Sequence, residues 1–106
     1  MSILDLFQTP DINDCAALCA EKPGAVLLDV REPDEYAAGH IPGSVSLPLS
    51  AIAQAAERFP QRDTPMFVYC LSGRRSASAI GALRAMGYTD LTNLGGIRAW
   101  RGELER

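Results

Sequence analysis

The sequence predicts an α/β fold, a mostly parallel sheet covered by helices on both faces. Two observations carry this. Short apolar runs, Ala25-Val26-Leu27-Leu28-Asp29-Val30 and Met66-Phe67-Val68-Tyr69, lack the polar alternation of a half-exposed strand and read as strands buried on both sides. Between such runs, apolar residues recur at i, i+3, i+4 and i+7, the stripe of helices packed on a sheet. A third feature is positional. Predicted strands end at Asp29 to Arg31, at Cys70 and at Gly95-Gly96. Sites in such folds lie outside the carboxyl ends of the strands.

The elements follow in order. Thr9-Pro10-Asp11 reads as a helix start, with Thr9 as N-cap and Pro10 in the first helical position. Ile12, Cys15, Ala16 and Cys19 form its buried stripe, and Pro23-Gly24 ends it. The two cysteines on this stripe read as small buried hydrophobes. The strand from Ala25 to Val30 follows, and its one acid, Asp29, requires a partner, for which Arg31 is the nearest candidate. Residues Glu32 to Gly39 predict one or two helical turns, with proline near the start, acids in the first turn and glycine at the end.

His40-Ile41-Pro42-Gly43 predicts a turn and Ser44 to Leu47 a short strand. Ser50 is the expected cap of a helix with the stripe Ile52, Ala55, Ala56 and Phe59. After the strand Met66 to Tyr69, a helix is expected from Ser76 to Met86, with Gly87 beyond its end. Leu91 to Asn93 and Leu94 predict a last strand, broken by Gly95-Gly96, before a final helical turn from Ile97 to Arg101 anchored by Trp100.

The chain of 106 residues is long enough for one domain, residues 1–106, and its 47% hydrophobic and 22% charged residues are ordinary for a globular protein. No apolar run reaches the ~18 residues of a membrane span, and the first residues lack a basic, signal-like start. A cytoplasmic setting is the expectation. Residues 1–65 hold ten acids and four bases, whereas residues 66–106 hold three acids and six bases. This positive half, with no basic run longer than Arg74-Arg75, favours a small anionic substrate over nucleic acid. Three cysteines and one distant histidine give neither a disulfide framework nor a zinc spacing, so free thiols and no metal are expected.

Cys70 stands where a strand ends, under a short loop, at a helix start. Helix N-termini and loop N–H groups attract negative charge, so this place favours a thiolate. A free thiol has pKa ~8.5, and a helix terminus contributes only about 0.3–1 kcal/mol, less than one unit. Loop N–H donors, aided by Arg74 or Arg75, have to supply the rest.

Leu28-Asp29-Val30-Arg31-Glu32-Pro33, Glu35-Tyr36, Gly39-His40-Ile41-Pro42-Gly43-Ser44, Cys70-Leu71-Ser72-Gly73-Arg74-Arg75-Ser76 and Gly95-Gly96-Ile97-Arg98-Ala99-Trp100 together resemble the rhodanese family, in its order and over nearly the whole chain. The resemblance implies a three-layer α/β/α fold around a central, mainly parallel five-stranded sheet. It implies sulfur transfer, with Cys70 as the sulfur-carrying residue and Leu71, Ser72, Gly73, Arg74 and Arg75 as the substrate-binding loop. Asp29 and Arg31 are then supports of the active-site mouth, and His40 belongs to a structural turn. The implied chemistry takes a sulfane sulfur from an anionic donor such as thiosulfate and passes it to a thiol, cyanide or protein cysteine, without metal or organic cofactor. Leu71 occupies a position where many active members carry a basic or polar residue, which bears on the choice of donor.

Two rivals stand beside this reading. Cysteine phosphatases and arsenate reductases use Cys-x5-Arg, whereas here Arg75 is the fifth residue after Cys70 and Ser76 the sixth, a ring one residue short. A non-catalytic rhodanese-like binding module, or a persulfide carrier for a protein partner, is the other alternative.

Overall fold

The computed structural model describes residues 11–106. The expected Thr9 cap and Pro10 lie outside them. The first helix, α1 (Ile12–Glu21), is capped by Asp11, whose carboxylate accepts the Asn13 amide at 2.8 Å. A short acceptor side chain in extended backbone is what an N-cap needs, and Asp11 supplies it in place of Thr9. Ile12, Cys15 and Cys19 are buried, as the stripe predicts.

Strands β1 (Val26–Asp29), β2 (Val45–Ser46), β3 (Met66–Cys70) and β4 (Leu91–Gly96) form one sheet in the order β2-β1-β3-β4, every neighbour parallel. Among the described residues the sheet thus has four strands, not five. The other apolar runs of this part of the chain are taken up by helices. A single antiparallel bridge joins His40 to Glu105.

The strands alternate as the period of two requires. Leu28, Val30, Met66, Val68 and Cys70 face one layer of helices, where Ala55, Ala79, Ile80, Leu83 and Tyr88 meet them. Leu27, Phe67, Tyr69 and Leu94 face the other, against Ile12, Cys15, Cys19 and Ile41. Helices cover both faces, giving the three layers expected.

Helix α2 (Pro33–Ala38) begins with a capping box between Glu32 and Glu35 and closes at Gly39. Ser50 caps nothing. Pro48 precedes a 3-10 segment, Leu49–Gln54, kinked at Ala51, and only then comes α3 (Ala55–Arg58). The stripe still points inward, because Ile52, Ala55 and Phe59 all follow the kink and pack on the core.

Helix α4 runs from Arg74 to Ala85, two residues earlier than expected, with Gly73 as N-cap. Gly73 sits at φ 102°, open to glycine at little cost, and this lets the chain turn from β3 straight into the helix. Gly95-Gly96 does not break β4. The ladder continues to Cys70 opposite Gly96, with a register shift that passes over Leu94. Strand alternation puts Leu94 on the α1 face and Asn93 on the α4 side, and the bulge brings Gly95 opposite Tyr69. The last helical segment is one 3-10 turn, Ile97–Ala99, ending at the partly buried Trp100, whose indole N–H donates to the Glu103 carbonyl at 3.0 Å.

Candidate active site

Cys70 is the last residue of β3 and is 1% exposed. The Gly73 amide donates to its Sγ at 3.0 Å, and the Ser76 hydroxyl lies 3.5 Å from it. Burial pushes the thiol up. The Ser76 hydroxyl and the amides of Ser76, Gly73 and Ser72 outweigh it, so Cys70 ionises below the ordinary thiol value. Cys15 and Cys19 have no such donors, and burial raises both. All three thiols are free.

The loop under the thiol is shorter than the sequence implies. Only Leu71, Ser72 and Gly73 lie outside regular structure; Arg74 and Arg75 open α4. Positive side chains oppose a helix N-terminus, so two arginines there run against local stability, a pattern expected where function sets the residue. Arg74 is exposed. Arg75 is engaged: both its terminal nitrogens donate to the Glu35 carboxylate, at 2.6 and 3.0 Å. The Arg75 guanidinium, with the Glu32 amide, holds Glu35 down at about 2 despite partial burial. Arg75 therefore ties α4 to α2, and its charge is favoured by Glu35 first and also by Cys70.

β4 forms the floor. A side chain on Gly96 would collide with the Leu71 carbonyl oxygen and lie 2.7 Å from Ser72 Cα. Gly96 has ordinary extended backbone, so space alone requires glycine there. Gly73 in turn lies against the Gly95 backbone.

Asp29 and Arg31 form a buried pair. Arg31 donates to Asp29 through its side chain at 2.7 Å and its amide at 2.9 Å, and to the Gly39 carbonyl at 2.7 Å. The pair closes the end of β1 onto the Gly39 turn. Strand alternation puts both on the Tyr69 face, opposite Cys70, and Arg31 lies 5.8 Å over the Tyr69 ring. His40 is stacked on Tyr36 and bonded to its carbonyl at 2.9 Å, an arrangement that serves the turn. A cavity of about 340 Å³ lies elsewhere, beside the start of β1, lined by Cys19, Lys22, Leu27 and Pro42 among others; Cys70 does not line it.

Three residues of the site were not singled out as such from the sequence: Glu35, Ser76 and Asn93. Ser76 is fully buried, and its hydroxyl lies 2.8 Å from Asn93 Oδ1 and 3.0 Å from the Gly73 carbonyl. A polar residue inside a strand, like Asp29 in β1, was the signal available for Asn93.

Residues 12–103 match the family model of the Rhodanese-like domain. The chain belongs to the rhodanese family. It is similar to a thiosulfate sulfurtransferase, GlpE, of Pseudomonas entomophila, 37% identical over 86 residues that cover 80% of this chain and 78% of that protein. A putative sulfur carrier protein of Bacillus subtilis, YrkF, is 38% identical over 80 residues, 74% of this chain and 43% of that protein. The chain spans less than two thirds of two of the curated relatives it matches, 64% and 43% of their lengths. Among solved structures, a rhodanese from Escherichia coli with bound anions superposes with a TM-score of 0.71 at 31% identity, over 77% of this chain and 98% of that one. This rhodanese domain has no helix among its described residues long and apolar enough to cross a membrane.

Proposed function

We propose that this rhodanese domain is a sulfurtransferase that carries sulfur as a persulfide on Cys70. One observation supports this above the rest: hydrogen-bond donors converge on Cys70 Sγ and favour its thiolate, while the other two cysteines are left as buried thiols. The Cys70 thiolate attacks the outer sulfur of an anionic donor such as thiosulfate. The new Sγ–S bond forms as the donor's S–S bond breaks, and the electron pair leaves with sulfite. Cys70 then holds a persulfide anion. An acceptor thiol, protein cysteine or cyanide attacks the outer sulfur, and Sγ leaves as thiolate.

Residues Leu71, Ser72 and Gly73 frame the donor, and Arg74, exposed at the start of α4, draws the anion in. Arg75 acts as a wall held by Glu35, and Asp29 with Arg31 keeps the neighbouring strand end in place. The same pairing argues against phosphoryl chemistry, because the arginine that follows the loop is already bound to a carboxylate. Free cysteines throughout fit a reducing, cytoplasmic setting.

A second reading, a persulfide carrier for a protein partner, draws support from the burial of Cys70 and from the similarity to a putative sulfur carrier. Intact-protein mass spectrometry after thiosulfate tests both. Sulfurtransfer predicts a gain of one sulfur on Cys70, lost on adding cyanide with rapid turnover and absent in Cys70→Ser. Stoichiometric loading with slow turnover selects the carrier. An unchanged mass with thiosulfate, mercaptopyruvate and small persulfides overturns both.

A further inference from the structure

The Ser76 hydroxyl has one proton and three acceptors within reach: Asn93 Oδ1 at 2.8 Å, the Gly73 carbonyl at 3.0 Å and Cys70 Sγ at 3.5 Å. The amide oxygen of Asn93 is fixed in this role. The Gly95 amide, which can only donate, meets the same atom at 2.8 Å, so that atom is oxygen and the amide cannot be flipped. The bulge in β4 puts the Gly95 amide there. Ser76 itself is fully closed off from water, so its proton has no other partner to find.

Resting on the sulfurtransferase reading, we propose that Ser76 is a catalytic hydrogen-bond donor whose proton turns between Asn93 and Cys70 Sγ with the charge on that sulfur, and that Asn93 is its positioning residue. With Cys70 as thiol, the S–H donates to Ser76 Oγ, and the Ser76 proton points to Asn93. With Cys70 as thiolate, the thiol proton has gone to water and Sγ accepts. The Ser76 O–H then rotates onto it. In the persulfide the charge sits on the outer sulfur, Sγ is a neutral bridging atom and a weak acceptor, and the proton returns to Asn93. When the outer sulfur is handed on, Sγ regains its charge as leaving group and the hydroxyl turns back. The proton never leaves Oγ.

This has an asymmetric consequence. A donor on Sγ stabilises the nucleophile at the start of the first half-reaction, where the charge is being lost. It stabilises the leaving group at the end of the second, where the charge is being gained. Only the second is accelerated, because only there is the bond stronger in the transition state than before it. The Ser76 hydroxyl is also the largest influence opposing burial at the Cys70 thiol. The charged side chains bearing on that thiol are Arg75 of α4 and, through it, Glu35 of α2. Gly96 of β4 brings none, and the Asp29–Arg31 pair of β1 lies on the other face of the sheet.

The test is Ser76→Ala and Ser76→Thr in the full chain, each checked for folding by thermal melting. Two readouts are taken. The pH midpoint of Cys70 alkylation by iodoacetamide needs no sulfur transfer. In Ser76→Ala it rises by about one unit, a tenfold loss of thiolate. Single-turnover transfer from the preloaded persulfide to cyanide slows about tenfold, while loading from thiosulfate above the midpoint does not slow. Ser76→Thr, which keeps the hydroxyl, restores the midpoint; if it does not fold, the Ser76→Ala values decide. An unmoved midpoint, or equal slowing of both half-reactions, overturns the inference. Failure to load sulfur in the wild type would instead overturn the sulfurtransferase reading, with the midpoint shift still measurable.

Discussion

Gly96→Ala isolates the contact between β4 and the loop. The residue has φ −112° and ψ 145°, so alanine costs nothing in backbone strain. Its methyl group, however, would meet the Leu71 carbonyl and stand 2.7 Å from Leu71 C and Ser72 Cα. Carbon atoms pack at about 3.5–4.0 Å, so the loop has to retreat by roughly 1 Å. Overpacking of this kind costs about 1–3 kcal/mol, which lowers the melting temperature by about 5–15 °C. A misplacement of about 1 Å at the reacting atom costs on the order of 100-fold in rate. Gly24→Ala, in the turn before β1, is the matched control: at φ 77° it is strained, yet no atom lies within 4 Å of the new methyl. It loses about 1–2 kcal/mol of stability and keeps its rate within a few-fold. Thiosulfate-to-cyanide transfer and thermal melting of both variants read the contrast. Wild-type transfer by Gly96→Ala, or equal inactivation by Gly24→Ala, would refute the argument that β4 holds the loop by close backbone contact.

Three other outcomes are expected. Arg31→Ala leaves Asp29 buried without its partner and frees the Gly39 carbonyl, and should cost about 3–5 kcal/mol in urea denaturation; a loss below ~1 kcal/mol would show that the pair contributes little. Glu35→Gln should lose about 1–2 kcal/mol near neutral pH, discounted for the partial exposure of the pair. Because the folded value of Glu35, about 2, lies below the unfolded 4.5, this stabilisation is complete above 4.5 and disappears as pH falls through about 2. The two proteins should therefore converge in acid, and a gap that persists there would contradict the ion pair as its source. Gly81→Ala fills an exposed, open position inside α4 and should add about 0.5–1 kcal/mol with sulfur transfer unchanged.

Much of the framework was legible because it rests on periodicity. Leu27 and Leu28, or Phe67 and Val68, point to opposite faces wherever the strand lies, so a run without polar alternation implies two covered faces. Boundaries were less legible. The expected start of α4 at Ser76 followed its apolar stripe, whereas the helix begins at Arg74, because Gly73 in its left-handed conformation closes the turn at once. The expected break of β4 at Gly95-Gly96 followed the general weakness of glycine in strands. Here the missing side chains admit the loop, and the ladder runs on to Cys70.

The sequence alone determined the alternation of strands and helices, the place of Cys70 at a strand end and, through its motifs, the family. These depend on residues close together in the chain, where spacing is geometry. The tertiary structure decided which groups act on the sulfur. Arg75, adjacent to the loop, is bound to Glu35 some forty positions earlier, while Ser76, which reads locally as a helix residue, is turned toward Cys70 and joined to Asn93 of β4. Those pairings follow from how α2, α4 and β4 pack around β3. A hydroxyl with one proton among three acceptors becomes visible only when the acceptors, brought from different strands and turns, stand around it.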